Sequence, residues 1–583
     1  PHARLPRWLR PVLARGLAHD PARRFGSTAA LAEAIERTRS RRRRWALGAV
    51  AGLGLACAAV VGWSAAPGSS TAAGLGCEPW VAAVDEIWSP ARRTALHART
   101  EASPRAKAYV TTTLDDLVDA WKASATALCE QDQAPAPSVA ERRCHEAWLQ
   151  GLERSVALLV ERGDGQTLAG APDLLDRLVA TQGGYCALQP SPAVDPEVWR
   201  LAESAREAAI VGDAEHAQRQ ASAALVRAQS LDDSTMTAHL AEAHAAQAEV
   251  LARGGDIQAA LEQFASAERH AIGAEVPQRL LQSRLLWAKV LALTGDPIAG
   301  QRAADHLRQA EPLAFALDQD QSLTFTAELA EARGMVERTL GNYETSIAQH
   351  RAALAHFEQL DRHVLVARAW LGIGASYQWL ERSDQAVAAY VQAESIYAEL
   401  GVPPRYRNRI RVHLNLGMLG LSTEHDGIPA LEFVMEHGTA DERLQAIAYA
   451  IAQIDDRQQM DLAAAWSELA LTELGQRSAT ASPLVFDVQL TTGATLAMLD
   501  DPRGRPLLEQ AERTAQQLAP IFEYRAQQTF IDWLRSAGHC NEAKTRLAAL
   551  DARLAAEPTA PTDIEAWRSA LSAQPCSPRQ PIP

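Results

Sequence analysis

Seven cysteines and sixteen histidines are the residues of this 583-residue chain best suited to metal ligation, thiol exchange or nucleophile and base chemistry. Their spacing fits few such sites. No CxxC is present, and His145 directly beside Cys144 is a poor chelate, so a zinc site is disfavoured. His239, His244, His350 and His356 are scattered over helical patterns without companions, and read as surface or partly buried residues. There is no GxxxxGK[ST], HExxH or GxSxG, and no GxGxxG after a strand. The string GIGAS at Gly372 to Ser376 superficially suggests a phosphate loop or nucleophile elbow, but it sits inside a helical pattern where close packing explains both glycines. The sequence therefore offers no catalytic, cofactor-binding or metal-ligating residue, and disulfides are the expected use of its thiols.

The remaining sequence is organised around an apolar run. Trp45 to Trp63 reads WALGAVAGLGLACAAVVGW without a charge. As a helix it would be about 28 Å long, close to the hydrocarbon thickness of a bilayer, with Trp at both interfaces. Residues 1–44 carry twelve Arg against Asp20, Glu33 and Glu36, whereas the whole chain is −14. By the positive-inside rule the Arg-rich side is cytoplasmic, which puts residues 64–583 outside, in a bacterium an oxidising compartment. Gly48 and Gly52 form a GxxxG that would let two such helices dimerise. The acidic excess beyond residue 44 makes a nucleic-acid ligand improbable.

Within residues 1–40, LARGLAHDPARRFGSTAALAEAI resembles the last two helices of the C-lobe of eukaryotic-like Ser/Thr protein kinases, including the DPxxR pattern at Asp20, Pro21 and Arg24. In that family the Arg forms a buried ion pair with the Glu of the APE motif. The resemblance implies that the chain is the C-terminal part of a bacterial transmembrane Ser/Thr kinase whose catalytic domain lies upstream of Pro1. ATP and Mg are implied only for that missing domain, since the Gly-rich loop, strand Lys, HRD and DFG motifs are not in this sequence.

Beyond a Gly/Ser/Ala linker at 64–76, residues 77–190 show helical periodicity with Trp80, Trp88, Trp121 and Trp148. Leu114, Leu117, Val118 and Trp121 make one buried face, so the tryptophans read as core. Cys129 closes one helix and Cys144 opens the next. Of the fifteen pairings open to six cysteines, Cys77–Cys186, Cys129–Cys144 and Cys540–Cys576 form the working set.

From 195 to 575 the chain repeats helix, Gly turn, helix, with Gly212, Gly255, Gly295 and Gly341 at the turns. Trp370, Gly374, Tyr377, Ala386, Tyr390 and Ala393 stand at the offsets of the tetratricopeptide repeat (TPR), which this unit resembles. The expected fold is all-α: kinase C-lobe helices, one transmembrane helix, a Cys-stapled helical domain and a TPR-like α-solenoid. The TPR resemblance implies that protein or peptide partners bind the concave face. Mapped by position, Glu242, Glu249, Arg253, Gln282, Lys289, Glu328, Glu331, Arg338, Arg368 and Gln378 point outward there. A membrane-bound kinase fragment that binds partners through its repeats is the first functional expectation. The alternative is a membrane-tethered TPR scaffold without kinase activity.

Overall fold

A computed structural model describes residues 78–99, 103–129, 139–162, 164–180, 194–231, 236–274, 277–316, 319–420, 427–453, 460–476, 481–518, 520–556 and Cys576. The expected kinase-like helices with Asp20, Pro21 and Arg24, the span 45–63 with Gly48 and Gly52, the linker 64–76, and Cys77 and Cys186 lie outside these residues. So do the side chains of Trp80, Cys129 and Cys144. Among the described residues no helix is long and apolar enough to cross a membrane, and every element is a helix.

Six helices open the described chain: α1 (Glu78–Ile87), α2 (Pro90–Ala98), α3 (Pro104–Cys129), α4 (Val139–Glu161), α5 (Gly165–Ala169) and α6 (Ala171–Ala180). Their tryptophans are core. Trp88, Trp121 and Trp148 are buried, the last two stacked with ring centroids 5.5 Å apart. The polar edges of two of these rings are satisfied internally: Trp88 Nε1 donates to Asp115 at 2.7 Å and Trp148 Nε1 to the Leu178 carbonyl at 3.3 Å.

Helical hairpins follow: α7 (Pro196–Ile210) with α8 (Ala214–Ser230), α9 (Met236–Arg253) with α10 (Ile257–Gly273), α11 (Pro277–Leu293) with α12 (Pro297–Phe315), α13 (Gln319–Thr339) with α14 (Tyr343–Gln359), and α15 (His363–Trp379) with α16 (Ser383–Glu399). The Gly-Asp pairs set the tight turns. Gly212 and Gly255 take φ of +84° and +87°, closing the preceding helix, and Asp213 and Asp256 then cap the next by accepting from backbone N–H groups. Alanine allows close approach along α7 and α8, where Ala205, Ala208, Ala217 and Ala221 are buried together. In the unit with the TPR offsets, Ala386, Tyr390 and Ala393 are fully buried. A Cβ on Gly374 would lie 2.6 Å from the Tyr390 ring, which explains the glycine. Gly372 likewise faces His350, and Ser376 is buried with its Oγ 2.8 Å from Ser346 Oγ, so GIGAS is packing. His239 and His350 are buried, not surface residues.

The chain continues through α17 (Arg407–Gly420), α18 (Ile428–His437), α19 (Ala440–Gln453), α20 (Met460–Gly475), α21 (Pro483–Met498), α22 (Gly504–Ala515), α23 (Pro520–Ser536) and α24 (Cys540–Ala556). A disulfide joins Cys540, the first residue of α24, to Cys576.

The first helices α7, α9, α11, α13 and α15 pack each on the next and form the inner layer. The opening helices return onto this layer. One hydrophobic cluster runs from Trp88 and Leu114 through Leu174 to Val364, Tyr390 and Tyr406. The described residues fall in one compact unit.

Candidate binding site

The inner layer and α6 line a partly open cavity of about 290 Å³. Its apolar wall is Trp199 and Ile210 on α7, Leu285 and Leu286 on α11, and Leu365 on α15, and the rest of the lining is mostly charged. Two contacts between distant parts of the chain border it. Asp176 accepts from Arg362 Nε at 3.1 Å, and Asp173 accepts from the Tyr406 hydroxyl at 2.8 Å.

Behind the lining lies a buried ion network. Arg206 on α7, only 1 % exposed, donates to Glu203 (2.7 Å), Glu242 (2.6 Å) and Glu249 (2.7 Å). Arg279 on α11 reaches the other oxygen of Glu242 at 2.5 Å, and Arg177 on α6 meets Glu203 at 2.6 Å. A single guanidinium thus ties α7 to α9, and the network extends to α6 and α11. Burial works against the charge on Arg206, but the three carboxylates outweigh it and hold its pKa well above the ordinary value. Burial would raise the Glu203 carboxyl, yet Arg177 and Arg206 beside it hold it well below the carboxylate range. A second node sits deeper along the layer. Glu331 on α13 accepts from Lys289 on α11 at 2.9 Å and from Arg368 on α15 at 2.5 and 2.9 Å. These cations likewise override burial and keep Glu331 ionised.

The residues placed on the concave face by position divide into three groups. Glu249, Arg253, Gln282, Lys289, Glu328 and Arg368 line the cavity. Glu242 and Glu331, expected to point outward, are instead 2 % and 3 % exposed, because each is the counter-ion of cations on a neighbouring helix pair. Arg338 and Gln378 are outside the lining. Burial lowers the pKa of Arg338, and Gln378 accepts from the Tyr390 hydroxyl at 2.9 Å. Sequence reasoning missed Arg206, Arg177, Arg279, Arg362 and the two aspartates of α6. An Arg flanked by Glu at i−3 and i+1 on an alanine-rich helix is the only local signal for Arg206.

Every charged side chain lining the cavity has a polar partner among the described residues, except two. Arg253, at the exposed end of α9, and the half-buried Glu328 on α13 make no side-chain hydrogen bond or ion pair among them. No group of three His, Cys, Asp or Glu among the described residues could hold a metal ion. The arrangement can bind and orient a ligand, and presents no nucleophile paired with a base.

The tetratricopeptide repeat family model matches residues 325–399, which contain α14, α15 and α16 and most of α13. No curated protein matches the sequence. Among solved structures, a Rap protein complexed with competence and sporulation factor shares 12% identity with a TM-score of 0.37, covering 64% of this chain and 99% of its own. NprR in complex with its cognate peptide NprX shares 10% identity with a TM-score of 0.35, covering 65% and 98%. The apo form of RapI shares 10% with a TM-score of 0.34, covering 49% and 97%.

Proposed function

We propose that this chain is a partner-binding adaptor that takes a short peptide segment of another protein into the cavity lined by α6 and the first helices of its repeats. The observation that carries this reading is the cavity itself, walled by tryptophan and leucine on one side and by fixed charges on the other. Charged groups held by one another beside an apolar wall can orient a ligand without reacting with it. Residues 45–63 anchor the adaptor in a bacterial inner membrane with the repeats outside, and Gly48 and Gly52 allow two anchors to pair. The kinase reading rests on the resemblance of LARGLAHDPARRFGSTAALAEAI, with its DPxxR pattern at Asp20, Pro21 and Arg24, and on the apolar run that follows it, and an upstream open frame encoding HRD and DFG motifs is its test.

Gln282→Trp, which fills the cavity from α11, tests the adaptor reading. Peptides selected from a random library on the full chain in membranes are expected to lose binding to this variant while its circular dichroism is unchanged. Peptides that bind the wild type and the variant equally would place recognition elsewhere and sink the reading.

A further inference from the structure

We infer that the cavity selects a dipolar peptide segment, one carrying a carboxylate and an ammonium or guanidinium group on either side of an apolar residue. This rests on the peptide-binding reading and specifies its ligand. The argument is one of charge partners. Lys289 and Arg368 already share Glu331, Arg279 is held by Glu242, Arg177 by Glu203, and Arg362 by Asp176. A polyanionic ligand would have to pull these cations from buried carboxylates and leave those carboxylates unpaired, which is strongly unfavourable. A polycation faces the converse cost, because Glu203 and Glu249 are committed to Arg206. Arg253 and Glu328 are the exceptions: both line the cavity, carry opposite charges, come from helices two pairs apart, and spend neither charge within the described protein. A ligand that supplies one partner to each leaves the internal network intact, whereas a ligand of one sign satisfies only one of them. Trp199, Leu285 and Leu286 supply the wall for the apolar residue. The volume of about 290 Å³ lies at the lower end of ligand pockets, near roughly 300 Å³, so the inserted segment is short.

The test uses blocked peptides titrated calorimetrically against the full chain in detergent. The probes are acetylated and amidated ELLK, QLLK, ELLQ, QLLQ and ELLE, each also with one or three leucines. ELLK-type peptides are expected to bind about tenfold tighter than either peptide with a single charge neutralised, the size of one charged hydrogen bond. Arg253→Gln should erase the preference for Glu over Gln in the peptide and leave that for Lys over Gln. Glu328→Gln should do the reverse. Neither residue belongs to the buried network, so both variants are expected to fold as the wild type does. Equal binding of all the peptides, with loss in Trp199→Ala, overturns dipolar selection and leaves peptide binding standing. Tightest binding of ELLE overturns it in favour of an anionic ligand. Absence of any peptide binding up to millimolar concentration overturns both.

Discussion

Arg206→Met removes the guanidinium on which the ion network converges while keeping much of the aliphatic stem. Three hydrogen bonds of 2.6 to 2.7 Å disappear, in a position 1 % exposed. Glu203 keeps Arg177 and Glu242 keeps Arg279, but Glu249 loses the only ion pair it has among the described residues. Removing one member of a buried ion pair costs roughly 3–5 kcal/mol, because the charge left behind is unpaired. The loss here should fall at the lower end, about 3 kcal/mol, since two of the three carboxylates retain a cation. Urea unfolding followed by circular dichroism measures it, with amide exchange across 196–253 locating the loss in α7 and α9, because a repeat protein need not unfold in one step. Arg200→Met is the control: its pair with Glu197 is solvent-exposed, so the change should stay within about 0.5 kcal/mol. Glu249→Gln in the Arg206→Met background should recover part of the loss by removing the orphan charge. The pH dependence has a definite sign. In the wild type, Glu203 is held below its ordinary pKa, so its contribution is present above the unfolded value and fades as pH falls through the folded one. In the variant Glu203 loses one of the cations that hold it down and so has less stabilisation to lose in acid, and the deficit should be largest near neutrality and shrink as pH falls. A loss below about 1 kcal/mol at neutral pH, or a deficit that grows in acid, refutes the network as a stabilising tie.

His350 is buried between Gly334 and Gly372 with neither ring nitrogen hydrogen-bonded among the described residues, and burial, helped by Arg338, pushes its pKa down to about 4. Stability should be complete above the unfolded value near 6.5 and decline as pH falls towards about 4, by about 3 kcal/mol in all. His350→Phe, with a ring of similar size, should flatten unfolding free energies measured at pH 7, 5.5 and 4, and an unchanged slope assigns the effect to other groups. Gly374→Ala places a methyl 2.6 Å from the Tyr390 ring and should cost about 1–3 kcal/mol through overpacking. Gly255→Ala meets no atom within 4 Å and pays only for its left-handed φ, about 1–2 kcal/mol. Thermal melts in which the Gly374 variant is unaffected would show that the α15–α16 contact is softer than described.

The parts of the fold legible in the sequence are those encoded locally. Gly212 and Gly255 announce turns because a left-handed φ suits glycine, and the following Asp announces a cap. The offsets from Gly374 to Ala393 are legible because a tyrosine ring demands a glycine opposite it. The candidate site was only half legible. Inner-layer positions follow from helical spacing, so six cavity residues could be placed, but spacing cannot distinguish a glutamate facing solvent from one facing an arginine on the next helix pair. Glu242 and Glu331 fell on the wrong side of that distinction. Arg362 and Tyr406 meet their partners across 186 and 233 residues, beyond the reach of any local pattern.

Those two contacts also change how the chain must assemble. An open solenoid adds one repeat at a time, with each unit stabilised by its neighbours, and can grow from either end. Joining Asp176 to Arg362 and Asp173 to Tyr406 links the opening helices to the middle of the array, so the loop-closure entropy of the intervening segment must be spent before either contact is rewarded. The cavity is therefore a late product of folding. Once formed, it couples the unfolding of the opening helices to that of the central repeats, so loosening either one opens the cavity.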